Sequence, residues 1–405
     1  VKTDITIVGG GLAGSMAAAL LGRAGRDVIV VDPHEVVPTD FRCEKLEHGH
    51  IDLLAETGLA DQVIESATRT DMLWIARFGR LVDKMPFTQY AMAYEGLVGS
   101  MRRQIPATVT IVRCWATGFQ TSPDRQTIQL SNGDTIETRL VILATGLNWS
   151  LRESLGVERE LVSPCHSITI GFNLKRVDGA DFAFPALQYN PEGIGNRVAY
   201  ITLFHIGSTL RANLFLYQPL KSPLVAAFRT DPDAALRRLL PGLARLIGET
   251  VVQGPMKVRP TDLYRMRHVE QPGIVMIGDA FATPCPATGT GTLKVFNDVS
   301  QLCNRYIPEW LASPGMGVDK IAAFYADPIK TASDTVAIEK AFALRRISTD
   351  PSLYWALQRW LRFVVRLGRW TMRSMTSTPR HGVDRVPVGA ETRAIARPDG
   401  AATQV

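Results

Sequence analysis

Gly9, Gly11 and Gly14 stand in the pattern GxGxxG within "DITIVGGGLAGSMAAALLGRAGRDVIVVD", and Asp32 closes the stretch eighteen residues after Gly14. Three glycines and one acid at this spacing can hold a dinucleotide. Gly9 permits a tight turn, Gly11 removes a side chain that would keep a pyrophosphate off the backbone, and Gly14 lets helix and strand approach closely. The helix opening over Gly11, Leu12 and Ala13 turns unbonded N–H groups and the positive end of its dipole toward the phosphates. Asp32 would accept hydrogen bonds from a ribose. A glycine-rich structural turn is the plainer alternative. Against it stand an apolar strand running into the motif, an alanine-rich helix leaving it, and a second apolar strand ending on the acid. Together they read as a βαβ unit.

Two later segments fit the same site. "FRCEKLEHGHIDLLAETGL" (41–59) has an Arg, then Leu-Glu-x-Gly, then an amphipathic helix ending in Gly. "GIVMIGDAFATPCPATGTGTLKVFNDV" (273–299) reads as a buried strand, Gly278-Asp279, a Pro/Gly loop, and a helix beginning near Gly291. With the N-terminal motif, these three regions in this order resemble the para-hydroxybenzoate hydroxylase family of flavoproteins, the single-component class A FAD-dependent monooxygenases.

The resemblance implies FAD as cofactor, NADPH or NADH as a transient reductant, and O2 as co-substrate. An aromatic or otherwise apolar small molecule would be hydroxylated through a flavin C4a-hydroperoxide. It further implies that Arg42 lies near the FAD pyrophosphate, that Asp279 binds the ribityl chain, and that Pro286, Gly289, Gly291 and Thr292 lie against the isoalloxazine. For Arg42 the plainer reading is an ion pair with Glu44 or Glu47. Three departures weaken any transfer of substrate preference: Ala282 where the family usually has His, Phe281 for a small residue, and Leu293 for a frequent Asn. A fourth bears on reduction. The segment "ATGLNWSLR" matches the family's Ala-Asp-Gly motif at Ala144, Gly146, Ser150 and Arg152, but Thr145 replaces the acid. Thr145 cannot form a charged pair with Arg42, so slow direct reduction by NAD(P)H is expected. The same fold also serves flavin-dependent halogenases, flavin reductases and non-catalytic flavin-binding proteins; the absence of a WxWxIP signature argues against a halogenase.

The fold expected is α/β: a Rossmann-type FAD-binding domain with an inserted mixed or antiparallel substrate sheet and C-terminal helices. Residues 1–70, 96–160 and 256–310 are expected to form the FAD-binding part, and 71–95 and 161–255 the substrate part. Residues 311–375 are expected to be a helical region and 376–405 a disordered tail. "HSITIGFNL", "RVAYITLFHI" and "LRANLFLYQ" alternate as strands. Phe172, Tyr200, Ile201, Leu203, Leu214 and Phe215 are the candidate inward-facing groups. His205 and Arg211 are the nearby cations that could contact substrate, His205 otherwise being a hydrogen-bonded structural histidine. Pro286 is a further candidate contact. Cys285, on the flavin-side loop, is either a reactive thiol or inert packing.

The chain has 405 residues, 46% hydrophobic, with a formal net charge of +6. That is ample for a large core and too diffusely basic to imply nucleic acid. The five cysteines show no CxxC spacing, which argues against a disulfide framework or zinc site and for a reducing cytoplasm. No signal peptide or membrane-spanning run is read. Arg359, Arg362, Arg366, Arg369 and Arg373 fall at 3-4-3-4 spacing opposite Leu353, Leu357, Trp360, Leu361, Val364 and Leu367. Such a helix suits a membrane surface or an acidic partner; alternatively it packs on the body with its Arg face in solvent. Monomer and homodimer are both open.

Overall fold

A computed structural model describes residues 1–42 and 44–376, with the backbone alone at 370 and 373–376. Cys43, the Arg373 side chain and the tail from 377 onward lie outside the described residues. Among the described residues sixteen strands, numbered along the chain, form two sheets. The first has the order β6 (Thr110–Val112), β2 (Val28–Val31), β1 (Lys2–Val8), β9 (Thr135–Leu143), β8 (Gln126–Leu130), β7 (Ala116–Gln120). A seventh strand, β15 (Ile274–Met276), runs parallel to the C-terminal half of β9. The four strands β1, β2, β9 and β15 pair in parallel. Their apolar runs are buried on both faces, as parallel strands covered on each side require. The expected βαβ unit is β1, the helix Leu12–Arg23, and β2. Ala17, Ala18 and Ala19 are fully buried in that helix, so it docks closely on the sheet.

The second sheet has nine strands, in the order β16 (Ala282–Thr283), β14 (Thr250–Arg267), β10 (Glu158–Arg176), β13 (Thr209–Leu216), β12 (Val198–Ile206), β11 (Ala186–Asn190), β4 (Thr68–Arg77), β5 (Arg80–Ala91), β3 (Lys45–Glu47). The chain crosses between the sheets more often than the expected segments allow: β3 and β16 lie in stretches assigned to the cofactor part, yet both belong to this sheet. The 223–247 stretch, helical by spacing, forms three short helices, Pro223–Thr230, Pro232–Leu239 and Leu243–Ile247. Pro232 and Pro241 interrupt it because proline lacks the N–H that a continuing helix needs.

These short helices cover one face of the second sheet, and alternation decides which residues they cover. Phe172, Ile201, Leu203 and Leu214 pack in the core beneath them. Phe215, one residue on, faces the opposite way with Tyr200. The six candidate inward residues therefore divide between two faces, since neighbours along a strand cannot share one.

Phe281 also finds its explanation here. It stacks on Tyr325 at 5.2 Å between ring centroids, and the Lys330 ammonium lies 3.8 Å from its ring centre. Lys330 belongs to a buried ionic cluster joining the helices Thr290–Gln301 and Pro328–Thr349. Lys294 reaches Asp298 at 2.8 Å and Asp334 at 3.1 Å, and Lys330 reaches Asp298 at 3.3 Å and Asp334 at 3.1 Å. Burial and the neighbouring Lys294 lower the Lys330 pKa, while Asp298 and Asp334 oppose that shift. Two cations and two anions balance only as a set. Asp298→Ala leaves two buried ammonium groups on one carboxylate and should destabilise the fold by about 3–5 kcal/mol, read as a lowered urea midpoint with an unchanged slope.

Candidate active site

The C-terminal ends of β1, β9 and β15 open on a cleft of about 1010 Å³, at the upper end of the roughly 300–1,000 Å³ typical of drug-sized ligands. Gly9, Gly11, Leu12, Ala13, Asp32, Arg42, Asp279, Pro286, Gly289, Gly291 and Thr292 all line it. Gly14 does not; it lies beneath the loop. A Cβ there would stand 1.8 Å from the Gly9 carbonyl oxygen, and one at Gly9, whose φ is +103°, would stand 2.6 Å from that of Ala144. Gly14 is thus a packing residue, and Gly9 serves both turn and packing.

Asp32 accepts hydrogen bonds from the backbone N–H of Gly10 at 2.5 Å and of His34 at 2.8 Å, and from Arg102 at 3.3 Å. A carboxylate has about four acceptor sites, so capacity for a ribose hydroxyl remains. Arg102 also donates to the Gly10 carbonyl at 2.8 Å, holding the loop from the side. Trp115 stands edge-on to His34 at 5.5 Å on the same part of the cleft wall. Neither Arg102 nor Trp115 was legible in the sequence, because each lies far from the motif and outside any recognisable spacing.

Arg42 settles on neither Glu44 nor Glu47. It donates to Asp40 and, at 3.0 Å, to Asp279. Arg259 approaches the same Asp40 and donates to the Phe41 carbonyl at 3.0 Å. The charged partner that Thr145 cannot supply is thus provided by Asp40 and Asp279, so the region is organised without an acid at 145. Thr145 and Gly146 line the cleft beside Arg42.

Arg152 is only 1% exposed. It donates to the carbonyls of Ala280 at 2.6 Å, Asp279 at 3.3 Å and Asn148 at 2.6 Å, tying the "ATGLNWSLR" segment to the Gly278-Asp279 turn.

The helix Leu12–Arg23 has Gly11 as N-cap, and Thr290–Gln301 has Gly289 in the left-handed region at φ +69°. Neither has a side-chain cap, so both leave first-turn N–H groups facing the cleft. Two uncapped helix ends, an acid with spare acceptor sites at one extremity, and the Arg42–Asp279 pair between them fit FAD. Its phosphates would lie at the first helix, its adenosine ribose at Asp32, and its electron-accepting ring edge at the second helix.

Beyond the second helix the cleft reaches the inner face of the second sheet, with Thr169, Asn213, Phe215 and Pro260 facing Pro284 and Pro286. Thr169 Oγ1 and Asn213 Oδ1 are buried without a hydrogen-bond partner. Neither His205 nor Arg211 lines the cleft, contrary to expectation. His205 pairs across the sheet with Leu210, and directly paired residues share a face. Leu210 belongs to the core under the short helices, so His205 is on the side away from the cleft. Arg211 is on the cleft side but committed: it donates to Glu44 Oε1 at 2.7 and 2.9 Å and to Asn173 at 3.0 Å, while Asn213 donates to Glu44 Oε2 at 3.0 Å. Burial raises the Glu44 pKa, and Arg211 and Asn213 oppose that shift.

Beneath the Pro284–Gly289 loop lies a small core holding Cys285, Tyr217 and Phe215. Cys285 is fully buried and burial pushes its thiol pKa up, the setting of a packing cysteine. His166 abuts this core, edge-on to Tyr217 and Phe342, with Ser163 Oγ at 3.1 Å. Burial, reinforced by nearby Arg345, lowers its pKa from 6.5 to about 4.

Fold and site together define a dinucleotide-binding flavoprotein with a second sheet bordering the cleft. The chain belongs to the FAD binding domain family, whose match covers residues 2–307. It is 24% identical over 369 residues to a squalene epoxidase of Aspergillus fumigatus, covering 82% of this chain and 72% of the relative. It is 25% identical over 329 residues to the 3-demethoxyubiquinol 3-hydroxylase of Escherichia coli, covering 74% and 78%. Its fold is shared with the crystal structure of p-nitrophenol 4-monooxygenase from Pseudomonas putida, at a TM-score of 0.70 and 15% identity over 92% of this chain and 96% of the other. The protein is accordingly an FAD-dependent oxidoreductase of the monooxygenase type, for which NAD(P)H is the typical reductant.

Two outcomes test this geometry. Gly14→Ala forces a methyl into the Gly9 carbonyl, and the purified variant should carry little or no FAD by its visible absorbance. His166 is neutral in both folded and unfolded chains above pH 6.5, but between 6.5 and about 4 only the unfolded chain takes up its proton. Stability should fall over that window as pH drops, and His166→Gln should show a shallower fall in melting temperature from pH 7 to 4.

Proposed function

We propose that the protein inserts one oxygen atom of O2 into an aromatic or otherwise apolar small molecule, hydroxylating it at the expense of NADPH or NADH. The supporting observation is the continuity of one cleft from the dinucleotide motifs to a compartment with an apolar wall at Phe215, Pro260, Pro284 and Pro286. Two relatives act, by their names, on squalene, a hydrocarbon, and on demethoxyubiquinol, a quinol. The unpartnered Thr169 Oγ1 and Asn213 Oδ1 suit a hydroxyl or amide-like group on an otherwise apolar body.

FAD, when bound and reduced, supplies the activation of O2, and O2 is the source of the transferred oxygen atom. Substrate, O2, NAD(P)H and a proton give hydroxylated substrate, water and NAD(P)+. The chain's own residues position and exclude. Backbone N–H groups at Gly11–Ala13 would hold the FAD phosphates, Asp32 its ribose, and Asp279, steadied by Arg42, its ribityl chain. The N–H groups at Gly291 and Thr292 would stabilise negative charge on the reduced ring. Pro284 and Pro286 present a wall with no donor N–H and keep water from the reacting face.

The purified protein should show a flavin absorbance spectrum. It should oxidise NADPH or NADH faster when phenols, quinols and polyene hydrocarbons are supplied, with label from 18O2 in the product. Flavin binding with nicotinamide oxidation but no labelled product from any of these classes would overturn the oxygenation reading in favour of a flavin reductase. Thr145→Asp restores the family's acid, and stopped-flow reduction by NADPH should accelerate; an unchanged rate would show that Thr145 does not limit reduction.

A further inference from the structure

The helix Leu353–Thr376 turns its apolar residues outward. Leu353, Leu357, Trp360, Leu361 and Val364 are 88, 67, 55, 53 and 57% exposed. Their 3–4 spacing makes one continuous stripe. A soluble surface helix places such a stripe on the core; here the core is met by a different face. Phe363 packs edge-on against Phe78 at 6.0 Å, Arg77 lies over both rings, and Arg359 donates to the carbonyls of Ile347 and Asp350 at 3.1 and 2.8 Å. The expected packing of this helix on the body is therefore present, but the face left in solvent is apolar as well as basic. A contiguous apolar face of this length marks an interaction site.

The charge beside it selects the occupant. Arg362, Arg366 and Arg369 are exposed along the opposite side of the helix, Arg366 with Asp83 of β5 near it, and no acid occurs in the sequence between Asp350 and Asp384. Arg77, Arg80 and Arg245 rim the groove where Phe363 and Leu367 meet the sheet. A two-fold pairing of stripes would bring two copies of this Arg77–Arg80–Arg245 rim toward each other, a repulsive arrangement. An anionic bilayer meets both demands: the apolar side chains enter the headgroup–acyl boundary, and the arginines, about a helix diameter away, add a salt-screened attraction to its negative surface. No helix among the described residues is long and apolar enough to cross a membrane, so the contact is peripheral.

We propose that the helix Leu353–Thr376 docks the protein on an anionic lipid surface through its Leu353–Val364 stripe. The inference stands on this helix alone and is independent of the oxygenation chemistry proposed above.

Flotation of the full FAD-loaded chain with phosphatidylcholine vesicles, with and without phosphatidylglycerol, tests it. Co-flotation is expected with the anionic vesicles and should weaken as salt is raised. Leu357→Glu with Leu361→Glu changes only solvent-facing side chains, so flavin content should be retained while the vesicle-bound fraction falls at least about tenfold. Arg362→Glu with Arg369→Glu should remove the preference for anionic vesicles. Wild-type protein that fails to float, flotation indifferent to the leucine substitutions, or a wild-type dimer in sedimentation velocity that those substitutions dissociate would each overturn the proposal.

Discussion

The parallel register of three strands governs everything the cleft can do. Ile142 of β9 stands opposite Ile7 of β1 on one side and Val275 of β15 on the other. Parallel strands end at the same edge of their sheet, so turns far apart in sequence leave side by side. Backbone hydrogen bonds carry the register into the turns: Ala144 donates to the Val8 carbonyl at 2.9 Å, and Ile277 to that of Leu143 at 3.1 Å. Slipping any one strand would separate Gly9, Ala144 and Gly278, and the cofactor determinants would no longer face one another.

Much of this was legible because it is local. A glycine pattern between an apolar strand and an alanine-rich helix carries its own structural reason, and so does a buried strand ending on Gly278-Asp279; Gly9, Gly11 and Asp279 line one cleft. What escaped was long-range or depended on strand phase. Arg102 reaches the Gly10 loop from ninety-two positions away, and nothing in its neighbours signals that. In the sequence, His205 and Arg211 stand out only as cations on strand-like segments. Facing direction and competing partners decide such a role, and Leu210 and Glu44 supply those. The substitution of Thr145 for an acid was visible as a loss; Asp40, a short distance up the chain from Arg42, was available as the remedy but unremarkable without geometry.

The second sheet works as a partition with two unlike faces. One is apolar where it packs on three short helices, which anchor the sheet by burial. The other carries Glu44, Arg211 and Asn213 as a closed polar cluster, with Thr169 and Phe215 beside it. Because the charges within that cluster satisfy one another, the compartment can border on ionised groups and still present an apolar ligand with little net charge. Phe41 reinforces the join: it lies so close to Gly171 on β10 that any side chain there would collide with its ring. Arg211 covers the same ring at 5.5 Å.

Arg152 gives the cleft a mechanical property. Its guanidinium is buried with no ion pair among the described residues and is held by three main-chain carbonyls and the face of Trp149. Two of those carbonyls belong to the turn beside Asp279, and the third to the loop after β9. Neither segment can shift without stretching bonds to the other, so the two move as a single rigid piece. A displacement imposed on the Ala144–Trp149 loop at the cleft mouth is therefore transmitted to the turn at Asp279 rather than absorbed between them.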